Sequence, residues 1–304
     1  MPLRSHASEI LDSIGLLALL VPIIGTFTLV GTISLACMNQ FSCARRCPTL
    51  SYAAEYDPQK TFFSIGMSLT ALFIAISTIL QFVLVQTRIS IHKSKVDKMA
   101  AASNRQEAES HVVESVLSWI STLSLVTCSV ALVLLAIYDM GNYHVIHVLS
   151  CSLFFVFSWI GLIALTCTRV RLLRRELISD GFKDGKVAVC ISWNEYLRLP
   201  LDLTKLVRRC WSARGTSAGI SSAYRIGIVF MVGGLLSTIM FGLMFMSVNG
   251  NWSNPLGFTA TQEALFEFTA ILSQLMCFGT AASELAWLGA LLQRHDYVEV
   301  QIQA

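Results

Sequence analysis

The sequence predicts an all-α polytopic membrane protein: six transmembrane helices in one bundle, with both termini cytosolic. Three observations carry this reading. Six apolar runs, each close to the ~20 residues a helix needs to cross a bilayer, take up roughly half of the chain. Hydrophobic residues make up 54% and charged residues only 13%, whereas a soluble domain carries about a quarter charged residues, and the mean hydropathy is +0.63. Finally, 19 of the 22 Lys and Arg residues fall on one side of a six-span arrangement, the side that cytosolic loops occupy. Lipid offers the backbone no hydrogen bonds, so the runs must satisfy themselves as helices. Strands of a membrane barrel would alternate in hydropathy instead of running apolar. Residues 1–304 therefore form a single membrane domain.

The first span is Ile14–Cys37. It is too long for a cleaved signal peptide, follows Glu9 and Asp12, and lacks a small-residue exit. The second, Phe62–Val85, leads into a loop at 88–114 whose mixed charges read as a solvated linker with extended helix ends. Val116–Tyr138 and Ile146–Thr168 are separated by only a short turn. A long cytosolic loop, 169–225, follows with twelve basic and five acidic residues. Ile226–Val248 carries Gly233 and Gly234, small residues that let helices approach closely. The last span is Phe266–Leu292. On the non-cytosolic side the basic residues are Arg45, Arg46 and Lys60. Termini on the same side require an even number of spans, which disfavours a seven-helix receptor.

Candidate sites follow from chemistry that lipid or compartment makes special. Cys43 and Cys47 lie in the first outer loop, where disulfides persist, and are read either as a bridge or as two thiols. Asn251 opens the one N-glycosylation sequon, in the outer loop between spans five and six. Ionisable residues in a membrane are expensive and few. Asp139 and His147 flank the outer turn, Glu267 opens span six, and the three are either interfacial anchors or the lining of an outer pocket. Glu284 lies well along span six, where it either pairs with a basic residue or snorkels to the interface. No pair of acids on one helix face suggests a proton-coupled transporter. No Cys/His spacing resembles a metal site, no cofactor is implied, and no nucleophile–base set or phosphate loop is legible, so the chain reads as non-enzymatic.

On the cytosolic side, Arg169, Arg171, Arg174 and Arg175 sit directly below span four, facing the anionic leaflet. They serve either plain positive-inside retention or phosphoinositide binding, at about 1 kcal/mol per basic residue. Leu201–Trp211 interleaves apolar and basic residues like an interfacial segment, with Cys210 a candidate for palmitoylation. The long loop is the expected contact for a cytosolic protein partner, and nothing points to nucleic acid. Tyr297 and Val300 form a tyrosine-plus-apolar pattern of the kind sorting adaptors read, as does the stretch from Tyr196 to Leu199.

The outer loop from Pro48 to Phe63 carries a resemblance. Pro48, Ser51, Pro58 and Phe63 keep the spacing of the loop that leads into the second span of DRAM-type proteins. That family covers the damage-regulated autophagy modulators, the transmembrane-150 proteins and CWH N-terminal-domain-like six-span proteins of fungi. Pro22, His147, Glu267, Thr280 and Glu284 are similar to further positions of the family. Ala54 stands where the family often has Gly, Gln59 where it often has an acid, and the 169–225 loop is longer than usual. Physically, each Pro fixes its own φ and extends the residue before it, and Ser51 can close a turn. The loop is read either as a structural seat for span two or as a lipid or partner contact.

The resemblance implies a regulator of autophagy and lipid signalling that acts through membrane lipids and protein partners. Its implied place is the lysosomal, endosomal or plasma membrane, with Golgi and endoplasmic reticulum as the alternative. Two other functions stay open: a lipid-remodelling factor of the GPI-anchor pathway, and a small channel or transporter.

Overall fold

In the computed structural model the described residues are 3–43, 46–103, 111–181, 217–249 and 252–285. Among them every regular element is an α-helix: α1 (Leu3–Asn39), the short α2 (Leu50–Ala53), α3 (Gln59–Ser103), α4 (Val112–Ile137), α5 (His144–Gly181), α6 (Ser217–Val248) and α7 (Ala260–Gly279). All but α2 are long and apolar enough to cross a membrane, giving six spans.

The helices overrun the apolar runs. α3 reaches Ser103 and α5 reaches Gly181, because Lys and Arg are good helix formers and water can serve the backbone beyond the hydrocarbon. At the other end, α7 begins at Ala260, well before Phe266. Thr259 and Gln262 form a capping box there, each side chain bonding the other's backbone N–H. The last span is also not one unbroken helix. Thr280 N–H is shared between the Met276 and Cys277 carbonyls and Ala281 N–H reaches only to Phe278, a tightened turn after which 282–285 are helical again.

The helices pack in the order α5, α4, α3, α1, α7, α6, with α5 touching α6 and α7 more lightly. α1 is the central partner of α3 and α7. It is admitted closely because Gly66 lies under Thr28 and Gly279 lies under Pro22, where a Cβ would overlap the facing side chain. In lipid there is no hydrophobic gain in joining two helices, so shape and polar contacts must choose the partners. The buried faces reflect this. Along α4, Glu114, Ser118, Ser121, Ser124 and Ser129 point inward while Leu123, Val130 and Ile137 face out. The apolar centre is built from Phe63, Met67, Leu132, Phe154, Phe155 and Ile271.

Candidate functional site

Polar groups collect at the two ends of this bundle. At the outer end the organising element is α2. Thr49 caps it by accepting Tyr52 N–H at 3.4 Å. Its first N–H groups then need acceptors, and α7 supplies one: Glu267 Oε2 accepts Leu50 N–H at 2.6 Å, and Oε1 accepts the Ser51 hydroxyl at 3.4 Å. From α5, His147 Nε2 stands 3.0 Å from Ser51 Oγ while Nδ1 stands 2.7 Å from the Tyr138 carbonyl. A carbonyl only accepts, so Nδ1 carries a proton; the single Ser51 hydroxyl hydrogen then goes either to Glu267 Oε1, with a charged ring donating Nε2–H to Ser51 Oγ, or to Nε2 of the neutral ring in place of Glu267, never to both. α2, α5 and α7 are thereby joined through one serine.

Asp139 is held separately. Lys60 Nζ lies 2.8 Å from Oδ2, and Asn142 donates its backbone N–H at 2.8 Å and its amide at 3.0 and 3.1 Å. Burial pushes the Asp139 carboxyl up, but the Lys60 ammonium and the Asn142 bonds outweigh it and bring the pKa down to about 2.

The expected outer pocket is thus divided. A cavity of about 10 Å³, room for little more than one water, lies beneath α2 with Ser51 and Glu267 in its otherwise apolar wall of Phe63, Met67, Phe154 and Ile271. His147 and Asp139 are not among its lining residues. Of the loop motif, Pro48 and Phe63 are buried, Ser51 is half-buried and Pro58 is exposed, its peptide with Asp57 being cis. Contrary to the sequence reading, α7 does carry two acids on one face: Glu263, one turn before Glu267, is equally buried and accepts from Asn249 at 3.3 Å. It was missed because the predicted span began at Phe266.

The disulfide also differs from the Cys43–Cys47 pairing. Cys37 and Cys43 are bridged, with Cα atoms 5.4 Å apart, and Cys47 is a free thiol. The reason is that α1 runs on to Asn39 and then reverses. Gln40 and Phe41 N–H both reach the Ala36 carbonyl, which brings Cys43 back over the last helical turn. Burial raises the pKa of Cys47.

At the inner end the arginine cluster is split. Arg169 is not turned to the leaflet: it is 4% exposed, and its Nε lies 2.6 Å from Glu284 Oε2 while Nη1 reaches Thr280 Oγ1 at 3.3 Å. Arg88 Nη1 is 3.8 Å from Glu284 Oε1, the Tyr224 hydroxyl donates to the same oxygen, and the guanidinium of Arg169 stacks over the Tyr224 ring at 5.2 Å. A charge this buried must be compensated inside the protein, and Glu284 is the compensation. Arg171 points the other way along α5, its Nε 2.9 Å from the fully buried Glu114. Arg174 and Arg175 continue the same helix a turn further. Arg88, Glu114 and Tyr224 are functional-looking residues the sequence did not single out, because Arg88 was assigned to a loop and Glu114 to a linker.

Asn251, Cys210, the segment Leu201–Trp211, Tyr196 to Leu199, and Tyr297 with Val300 lie outside the described residues. Among the described residues no group of three or more His, Cys, Asp or Glu could hold a metal.

The profile of the family described as the Frag1/DRAM/Sfk1/Cwh43P N-terminal domain matches residues 13–287. No curated protein and no solved structure matches the chain.

Proposed function

The chain belongs to the Frag1/DRAM/Sfk1/Cwh43 family, and on that premise we propose that it is a non-enzymatic multi-pass regulator acting through membrane lipids and protein partners. The observation that carries this reading is the seating of α2. Glu267 accepts from Leu50 and Ser51, and His147 stands on Ser51 from the other side. Side chains from two spans thereby hold an outer loop of fixed shape, as a contact surface requires. On the cytosolic side, the 169–225 loop meets a protein partner, and phosphoinositide headgroups are met by Arg174, Arg175 and the exposed part of Arg171, with Arg169 withdrawn into the bundle. The processes served are autophagy and lipid signalling, in the lysosomal, endosomal or plasma membrane.

Replacing Glu267 by Leu tests this. The variant should reach its membrane yet lose regulatory output, read as autophagic flux and phosphoinositide levels, while Cys47 becomes accessible to maleimide. Full output from a protein whose α2 is demonstrably released would defeat the proposal.

One observation favours a second reading, the lipid-remodelling one. Ser51 Oγ lies 3.0 Å from an imidazole nitrogen whose partner nitrogen is committed to a carbonyl, the arrangement of a base-activated nucleophile. Against it, the Glu267 carboxylate stands 3.4 Å from the same oxygen, where it would oppose developing negative charge instead of stabilising it. Covalent labelling by a fluorophosphonate probe, lost in Ser51→Ala, would establish the enzymatic reading and remove the non-enzymatic one.

A further inference from the structure

We propose that a water molecule is a built-in ligand of the inner half of the bundle, held between α3, α4 and α5 by Thr78, Gln81 and Ser121. These residues line a cavity of about 10 Å³ together with Phe82, Ser118 and Thr122, which is the space of one water. Thr78 and Gln81 are each 4% exposed, and Thr78 Oγ1 and Gln81 Oε1 have no protein partner. A polar atom shut away from both solvent and protein partners is rare, and here two of them belong to side chains in the wall of one small cavity.

The donors and acceptors fit. Ser121 directs its hydroxyl hydrogen to the Gly161 carbonyl at 3.0 Å, and Thr122 directs its own to Ser118 O at 2.8 Å. Both oxygens, on residues of the cavity wall, are therefore left with acceptor capacity only. A water can accept from the Thr78 hydroxyl and donate to Gln81 Oε1 and Ser121 Oγ, about the three bonds that buried waters usually make. A small cation does not fit as well. All the lining oxygens are neutral, and the other end of Gln81 donates at 3.3 Å to the Ala281 carbonyl, next to Thr280, on which Arg169 rests. With no carboxylate in the wall to balance a cation, the lining favours a neutral guest.

The water thereby takes part in the inner charge cluster. It fixes which way the Gln81 amide faces, and that amide serves the backbone where α7 turns at Thr280 and Ala281.

The test is brief X-ray hydroxyl-radical labelling of the full chain in nanodiscs. Bound water generates radicals in place, so Phe82, in the cavity wall, should label promptly. Trp119, which packs on Phe82 with ring centroids 4.6 Å apart and is 52% exposed on the lipid face, serves as the control for radicals arriving from outside. Phe82 should label several-fold more than Trp119, and that excess should fall away in the Thr78→Val/Gln81→Leu double variant with Trp119 unchanged. Thr78→Val alone, nearly the same shape, should give an intermediate loss and guards against misfolding of the double variant. Phe82 labelling no stronger than Trp119, or an excess that survives both variants, would overturn the proposal.

Discussion

Glu284 is the residue whose removal should disturb the bundle most, and its surroundings allow the effect to be ordered in advance. It is 1% exposed, accepts from Arg169 and from Tyr224, and lies in ion-pair range of Arg88. Glu284→Leu leaves the buried Arg169 facing an apolar side chain. Removing one partner of a buried ion pair costs about 3–5 kcal/mol, because the other charge stays desolvated and unpaired. Arg169→Met is milder, since Glu284 keeps Tyr224 and Arg88. The loss is then chiefly one charged hydrogen bond, about 1.5–3 kcal/mol. The double variant removes both charges and should be less destabilised than the sum of the singles, with a coupling of roughly 1–3 kcal/mol. Reversible unfolding in mixed detergent micelles, followed by tryptophan fluorescence, measures all three. Additive effects, or an Arg169 variant more damaged than the Glu284 variant, would refute the idea that Glu284 is the internal counter-charge of Arg169.

Thiol mapping should find Cys47 reactive to maleimide once the protein is denatured without reductant, and Cys37 with Cys43 reactive only after reduction. A Cys43–Cys47 bridge would instead leave Cys37 reactive without reductant and Cys47 blocked until reduction. The Lys60–Asp139 contact should give an acid signature. Asp139 is lowered in the folded state to about 2 from 3.8, so its contribution is fully present above about pH 4 and is lost as the pH falls towards 2. An acid titration of thermal stability should lose that component in Asp139→Asn, and an identical titration in the variant would count against the contact. By the charge count, a C-terminal tag on sealed right-side-in vesicles should be digested by protease added on the cytosolic face. A tag that stays protected there would invert the topology.

The six spans and their helical nature were legible in the sequence alone, and the charge count sets the expected side of each loop. They depend on properties each segment has by itself: enough apolar residues to replace water with lipid, and Lys or Arg that resist crossing. The resemblance of the outer loop was legible for the same reason, since four residues at fixed spacing need no partner to be recognised. What the sequence could not say was which groups meet. Arg169 looked like a leaflet-facing arginine because it adjoins Arg171, Arg174 and Arg175 in the chain. Only the packing of α5 against α7 turns it onto Glu284, 115 residues away. Cys37 was only the last residue of the first apolar run until the reversal after Asn39 laid Cys43 over it. Ser51, His147 and Glu267 are scattered over more than two hundred residues, and they become one polar unit because α2, α5 and α7 end at the same height. Hydropathy is a property of a segment and can be read locally. Pairing is a property of two surfaces, and in a solvent as apolar as the helices themselves only the three-dimensional packing decides it.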